Sequence, residues 1–207
     1  MKIETANLDR GALYQLMSET VAPTPVGFIS TVGRDGVYNA AAFTFMGMVG
    51  LKPPILYVSI SVFGRASGER QGRQKDTRRN IEFAHDFVVN VVDGSLIEPA
   101  ARASADYPSE VDEIKEVGLT AIPGEMVKSP RIAEAKVSME CRLRHIAELV
   151  EEQALRSIIF GEVVLVHIKD EVLTDGQLDP RLLKPVGRLG HEIYCRTGDI
   201  FEIKSGG

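Results

Sequence analysis

Tryptophan is absent from the 207 residues, cysteine occurs twice and histidine four times. Cys141 and Cys195 stand far apart in no CxxC or CxxH pattern, which excludes a disulfide framework and a thiolate zinc site. Idle or buried thiols in a reducing cytosol are the expectation. His85, His145, His167 and His191 form no i,i+4 pair and no HExxH, and neither GxSxG nor a Walker A pattern occurs. No metal ligand set and no catalytic triad or dyad is therefore expected.

Long apolar runs are missing too. The longest uncharged stretch, Gly36 to Leu51, carries Asn39, Thr44 and three glycines and is shorter than the roughly 20 apolar residues of a membrane span. It reads as buried or ligand-facing backbone. The opening MKIETANLDRG has no apolar region of the kind a secretory signal needs, so a cytoplasmic protein without a membrane partner is expected. Basic residues number 24 against 29 acidic, a net charge of -5, which does not favour a polyanion, so no nucleic-acid partner is expected.

What is present is an ordinary globular composition, 44% apolar and 26% charged, and a chain of this length buries roughly 70% of its unfolded surface without staples. Leu13, Leu16 and Met17 share a helix face behind Asp9, an N-cap residue type. Two strands, Val26 to Val32 and Val37 to Phe43, flank Gly33-Arg34-Asp35-Gly36, a hairpin signal. After Pro53-Pro54, Ile55 to Ile60 reads as a strand buried on both faces. Asp76-Thr77 opens a helix to about His85, with Asp76 as its N-cap, and Phe87 to Val92 reads as a central strand. The stretch from Gly94 to Glu116 has helical character broken by Pro99 and Pro108. Val137, Met139, Cys141 and Leu143 alternate with Ser138, Glu140, Arg142 and Arg144, one face core and one wet. The phase slips at Ile146, a second strand runs from about Arg156 to Ile168, and Gly161 marks a bend or a bulge. The tail, Pro185 to Ile203, ends in short strands. Strands at hairpin spacing with few helices predict a mainly β, antiparallel barrel with peripheral helices, one domain over residues 1–207.

Two segments carry chemistry. Asn39-Ala40-Ala41-Ala42-Phe43-Thr44 puts small residues at a strand end, which serves either close strand packing or the approach of a flat ligand to backbone N–H groups. Gly64 to Asn80 holds six basic residues (Arg65, Arg70, Arg73, Lys75, Arg78 and Arg79) against Glu69 and Asp76. That local +4, followed by a helix N-terminus, reads either as a solvated surface loop or as a phosphate clamp. Asp76 serves as the cap or faces Arg78 or Arg79 and fixes the loop. No aromatic residue interleaves with these arginines, which argues against a nucleic-acid patch.

An ordered series then emerges. It runs through Pro25-Val26, Ser30-Thr31, Asp35-Gly36, Asn39 to Thr44, Pro53-Pro54, Lys75-Asp76-Thr77 and Asn80-Ile81. It continues through Phe87 to Asn90, Gly118-Leu119, Pro130-Arg131-Ile132 and Gly161-Glu162-Val163 to Arg188-Leu189-Gly190 and Tyr194. Spanning nearly the whole chain, the series resembles the flavin reductase-like family with the FMN-binding split-barrel fold. That group includes flavoredoxins and the flavin-supplying components of two-part monooxygenases. The resemblance implies an FMN site with Asn39, Ala40, Ala41, Ala42 and Phe43 beside the flavin ring and hydroxyl contacts from Thr31, Thr44 and Ser59. The phosphate lies near Lys75, Asp76 and Thr77, and Arg188 and Tyr194 close the site. It also implies a homodimer, NADH or NADPH as transient co-substrate, hydride transfer to flavin and onward to a small acceptor, and a possible monooxygenase partner. The alternative is a flavin-binding or storage module without reductase turnover.

Overall fold

The computed structural model describes residues 1–61, 74–151 and 154–203. Helix α1 (Arg10–Thr20) starts as expected, with the Asp9 carboxylate accepting from Ala12 N at 2.9 Å. Strands β1 (Thr24–Pro25), β2 (Gly27–Val32) and β3 (Tyr38–Phe43) follow. The β2–β3 turn is closed by Gly33 N to Val37 O at 2.8 Å, and Gly36 takes the positive φ of 82° that an Asp-Gly turn supplies. Next come β4 (Met46–Leu51), β5 (Pro54–Ser61), α2 (Asp76–Ala84) and β6 (Asp86–Val91). Then α3 (Ile97–Ala103) and α4 (Glu113–Glu116) lead to the short pair β7 (Ala121–Ile122) and β8 (Arg131–Ile132) and the long hairpin β9 (Val137–Glu151) and β10 (Ala154–Ile168). The small ribbon β11 (Leu173–Thr174) and β12 (Gln177–Leu178), α5 (Pro180–Leu183), β13 (Val186–Gly190) and β14 (Ile193–Arg196) complete the order.

Seven strands form one antiparallel sheet in the order β3-β2-β6-β9-β10-β5-β4. Its two edges, β3 and β4, are joined by only Thr44 and Phe45, and Phe45 O accepts from Ser59 N of β5 at 2.8 Å. Edges so far apart in the sheet can share a two-residue corner only if the sheet wraps round, so it is a barrel left open between β3 and β4. A second sheet, β1-β13-β14, brings the tail beside α1.

Alternation along β2 divides the apolar interior. Phe28 joins a cluster under α3 and α4 with Leu96, Ala100 and Ile114, while Ile29 joins one inside the barrel with Phe43, Val58, Ile60, Ile81, Phe87 and Ile159. The β9–β10 register slips by one residue at Arg144, opposite Phe160 and Gly161. A Cβ on Gly161 would stand 2.5 Å from the Phe87 ring, so close packing requires glycine there.

Several expectations need correction. In β5 only Val58 and Ile60 are buried, while Tyr57, Ser59 and Ser61, which alternate with them on the other face, are half-buried. The end of the uncharged run is not buried: Met48, Val49 and Leu51 on edge strand β4 are 66%, 58% and 70% exposed. Pro99 does not break a helix but sits in the first turn of α3, where its missing N–H costs nothing. The expected wet face of β9 is dry at Ser138, which donates to Asn90 Oδ1 at 2.8 Å, and at Glu140, which the backbone of Glu125 and Met126 meets. Burial works to raise the Glu140 carboxyl. Bonds from Glu125 N (2.8 Å), Met126 N (2.6 Å) and His167 Nε2 (2.7 Å) outweigh it and hold the group below the usual carboxylate range. Among the described residues no helix is long and apolar enough to cross a membrane, and no His, Cys, Asp and Glu cluster suits a metal ion.

Candidate functional site

The expected site residues fall into two groups that meet around β3. The first is a buried polar cluster built on Asn39, whose side chain is fixed on both sides. Its Nδ2 donates to Glu113 Oε1 at 2.9 Å, and its Oδ1 accepts from Thr77 Oγ1 at 2.8 Å and Thr31 Oγ1 at 3.2 Å. Thr31 Oγ1 accepts in turn from Asn80 Nδ2 at 3.1 Å. Thr31 is fully buried and Thr77 nearly so. Both hydroxyl protons are thus donated to Asn39, so that Thr31 supports the Asn39 side chain from behind.

Glu113 was not singled out by the sequence, since it lies among Glu110, Asp112 and Glu116 with no spacing to distinguish it. Its Oε2 also accepts from Ala40 N at 3.2 Å, and Ser104 Oγ accepts from Ala42 N at 2.9 Å. These two N–H groups point away from β2, at the open edge of the sheet, and α3 and α4 cover that edge. The small residues Ala40 and Ala42 therefore serve close packing on this side. Burial pushes the Glu113 carboxyl up to about 7, against the bonds from Asn39 and Ala40, and the nearby Asp76 charge adds to the rise.

Helix α2 begins beside this cluster. The structure makes Asp76 its first residue and Lys75 its N-cap, whose side chain makes no capping bond. Asp76 instead pairs with Arg79 at 2.6 Å, the second of the two roles open to it. The first turn of a helix presents N–H groups and the positive end of its dipole, the kind of place where anions bind, and Lys75 Nζ lies 5.7 Å from the centre of the Phe43 ring. Arg78 turns inward, only 4% exposed, to Ser157 Oγ (2.8 Å), Glu82 (2.5 Å) and Glu148 (3.5 Å). Arg78 and Arg79 are thus compensated. Arg65, Glu69, Arg70 and Arg73 lie outside the described residues.

The second group occupies the barrel corner. Arg188 Nη1 donates to Thr44 Oγ1 at 3.4 Å and to Tyr14 OH at 3.2 Å, and its Nε to His191 O at 2.7 Å. Tyr14 meets Phe45 edge-on at 6.1 Å, and the Arg156 guanidinium stands 5.6 Å from the Phe45 ring centre. Ser59 lies on the side of β5 opposite Val58 and Ile60, and Tyr194 is the ladder partner of Arg188, so the two side chains share a face. Tyr14, Phe45 and Arg156 join the site only in three dimensions. An open cleft of about 720 Å³ lies on the flank of α2 between Arg34, Arg79, Phe83 and Ser109. None of the expected site residues lines it.

The donor set fits the phosphate of a flavin nucleotide, since an α2 start without a side-chain cap and a lysine suit a small dianion. The flavin reductase like domain family matches residues 17–183. An uncharacterized protein of Aquifex aeolicus is 34% identical over 205 residues, 99% of this chain and 100% of its own length. Nitrilotriacetate monooxygenase component B from Bacillus cereus superposes with a TM-score of 0.90 at 28% identity, covering 98% of both chains. The 2-nitrobenzoate 2-nitroreductase of Pseudomonas fluorescens does so with a TM-score of 0.86 at 27% identity, over 100% of this chain and 96% of the other. The open antiparallel barrel also superposes, with a TM-score of 0.83, on the split barrel domain of a flavin reductase from Shewanella frigidimarina, and the chain belongs to the flavin reductase-like family.

Proposed function

We propose that this chain is an FMN-dependent NAD(P)H oxidoreductase of the flavin reductase type, acting in the cytoplasm as a homodimer of single-domain subunits spanning residues 1–207. The observation that carries the reading is the start of α2. It has no side-chain cap, Lys75 stands beside it, and the Asn39 cluster fixes it one residue further on. In this assignment Lys75 and the backbone N–H groups at Asp76 and Thr77 bind the phosphate. Asn39, Ala40, Ala41, Ala42 and Phe43 border the ring, with Thr44 and Ser59 at its far end and Arg188 and Tyr194 closing that end.

A flavin held here would supply the redox chemistry, hydride acceptance from NADH or NADPH and electron delivery to an acceptor. The chain's part is to bind and orient. Arg188 brings a positive charge to the corner, where it would stabilise negative charge on a flavin held there. No side chain is required as general acid or base. The relationship to a monooxygenase component B supports a partner oxygenase as the electron user, and the relationship to a nitroreductase supports a small nitro compound. The homodimer draws support from exposed apolar residues on edge strand β4 and from Val150, 87% exposed at the end of β9.

The test is direct. The purified protein is expected to bind FMN, and rapid mixing with NADH or NADPH is expected to bleach the flavin absorbance. Failure to bind FMN overturns the reading. Binding of FMN without bleaching by either nucleotide moves it to a flavin-binding or storage module, and tighter binding of FAD changes the cofactor.

A further inference from the structure

Glu113 is a nearly fully buried carboxyl, 5% exposed, that the reaction does not use. It stands one hydrogen bond behind the anion end of the proposed site, because Asn39 links it to the Thr77 hydroxyl of α2. A carboxylate at Glu113 accepts from Asn39 Nδ2 and so forces the amide oxygen toward Thr77 and Thr31. We propose that Glu113 is a positioning residue for the phosphate end of the site, setting the Asn39 amide and through it the start of α2, and that its carboxyl takes up a proton when a phosphate-bearing ligand binds there. The proposal rests on the flavin reading above.

The electrostatic argument follows from what surrounds the group. From α2 it faces Asp76, itself paired with Arg79, while Lys75 lies against the Phe43 ring. Strands β2 and β3 contribute only the neutral Thr31, Asn39 and Ala40. The basic residue of α3, Arg102, donates to Val117 O at 3.0 Å. Among the described residues no cation pairs with Glu113 directly. A phosphate at α2 would bring a further negative charge toward two carboxylates, and the buried one gives way most cheaply by accepting a proton, being already poised at about 7. Linkage makes this reciprocal: a ligand that raises the carboxyl's proton affinity binds more tightly when the carboxyl is protonated.

FMN affinity is therefore compared in the wild type and Glu113→Gln, which holds the neutral state at nearly the same shape, by fluorescence titration between about pH 6 and about pH 8.5. FMN's own phosphate titration is common to both proteins and cancels in the ratio. The expected result is near-equal affinity at the acid end and an advantage for Glu113→Gln of about fivefold at the alkaline end, the low end of ordinary coupling between sites. Parallel profiles in the two proteins overturn the coupling and leave the flavin reading standing. Absence of FMN binding in both at every pH overturns the flavin reading and the proposal with it. Wild-type calorimetry near pH 8 in two buffers of different ionisation enthalpy needs no variant. Proton uptake on FMN binding supports the proposal, and zero uptake or release overturns it.

Discussion

The cluster around Asn39 and the corner around Arg188 contribute to the same proposed site but are built differently. Around Asn39 every polar atom named has a partner inside the protein, and the residues are buried. Around Arg188 the partners are two neutral hydroxyls and a carbonyl, at up to 3.4 Å, and Tyr194 is 38% exposed. A fully bonded buried network resists rearrangement, because breaking it leaves desolvated groups unpaired. A cation held only by neutral groups at an exposed corner can turn toward a ligand at little cost. The first region suits the permanent binding of one group, the second the entry and exit of others.

The contrast is tested most severely by Asn39→Ala. It strips Glu113 and two buried hydroxyls of their common partner, and an unfolding loss of about 3 kcal/mol is expected in denaturant titration. A loss under about 1 kcal/mol would mean the network is looser than its geometry. Lys75→Ala should leave folding nearly unchanged and weaken FMN binding by about 1.5 to 3 kcal/mol, the worth of a charge-assisted contact, as read by equilibrium titration. Unaltered affinity would put the phosphate elsewhere.

Glu113 offers a subtler test through pH, in the ligand-free protein. Its folded carboxyl titrates above the ordinary carboxylate value, so the stability from its bound proton is complete below about pH 4, the unfolded value. That stability is lost as pH rises through about 7. Glu113→Gln should lack this decline, and its unfolding midpoint should gain on the wild type from pH 5 upward. The smallest effect is expected at the corner. Tyr14→Phe removes one neutral hydrogen bond to Arg188, and a stability change of about 0.5 to 1 kcal/mol is expected in the same denaturant assay. A loss as large as that of Asn39→Ala would erase the distinction between the two regions.

Much of the fold was legible locally. The Asp9 cap, the Asp35-Gly36 turn, the α2 span ending at His85 with φ 59°, β6 and the Gly161 bulge all come from residues within a few positions of one another. Where the reading failed, the deciding contact was distant. Glu140 reads as the wet face of an alternating strand until His167 and the backbone of Glu125 and Met126 close over it. The uncharged run reads as buried or ligand-facing, and of these two its end, strand β4, is not buried, because it lies at an edge of the sheet. In the candidate site, Lys75, Asp76 and Thr77 were visible as a charged segment opening a helix. Tyr14, Phe45, Arg156 and Glu113 were not, since each belongs to the site through partners far away in sequence.

By itself, then, the sequence determined the main strands, helices α1 and α2, the β2–β3 turn and the family, because hydrophobic period, turn chemistry and the order of short segments are all carried along the chain. Only the tertiary structure decided which polar groups are dry. It brought Glu113 against Asn39, and Arg188 beside Thr44 and Tyr14. Desolvation depends on every neighbour in space, and those neighbours are set by how the seven-stranded sheet wraps.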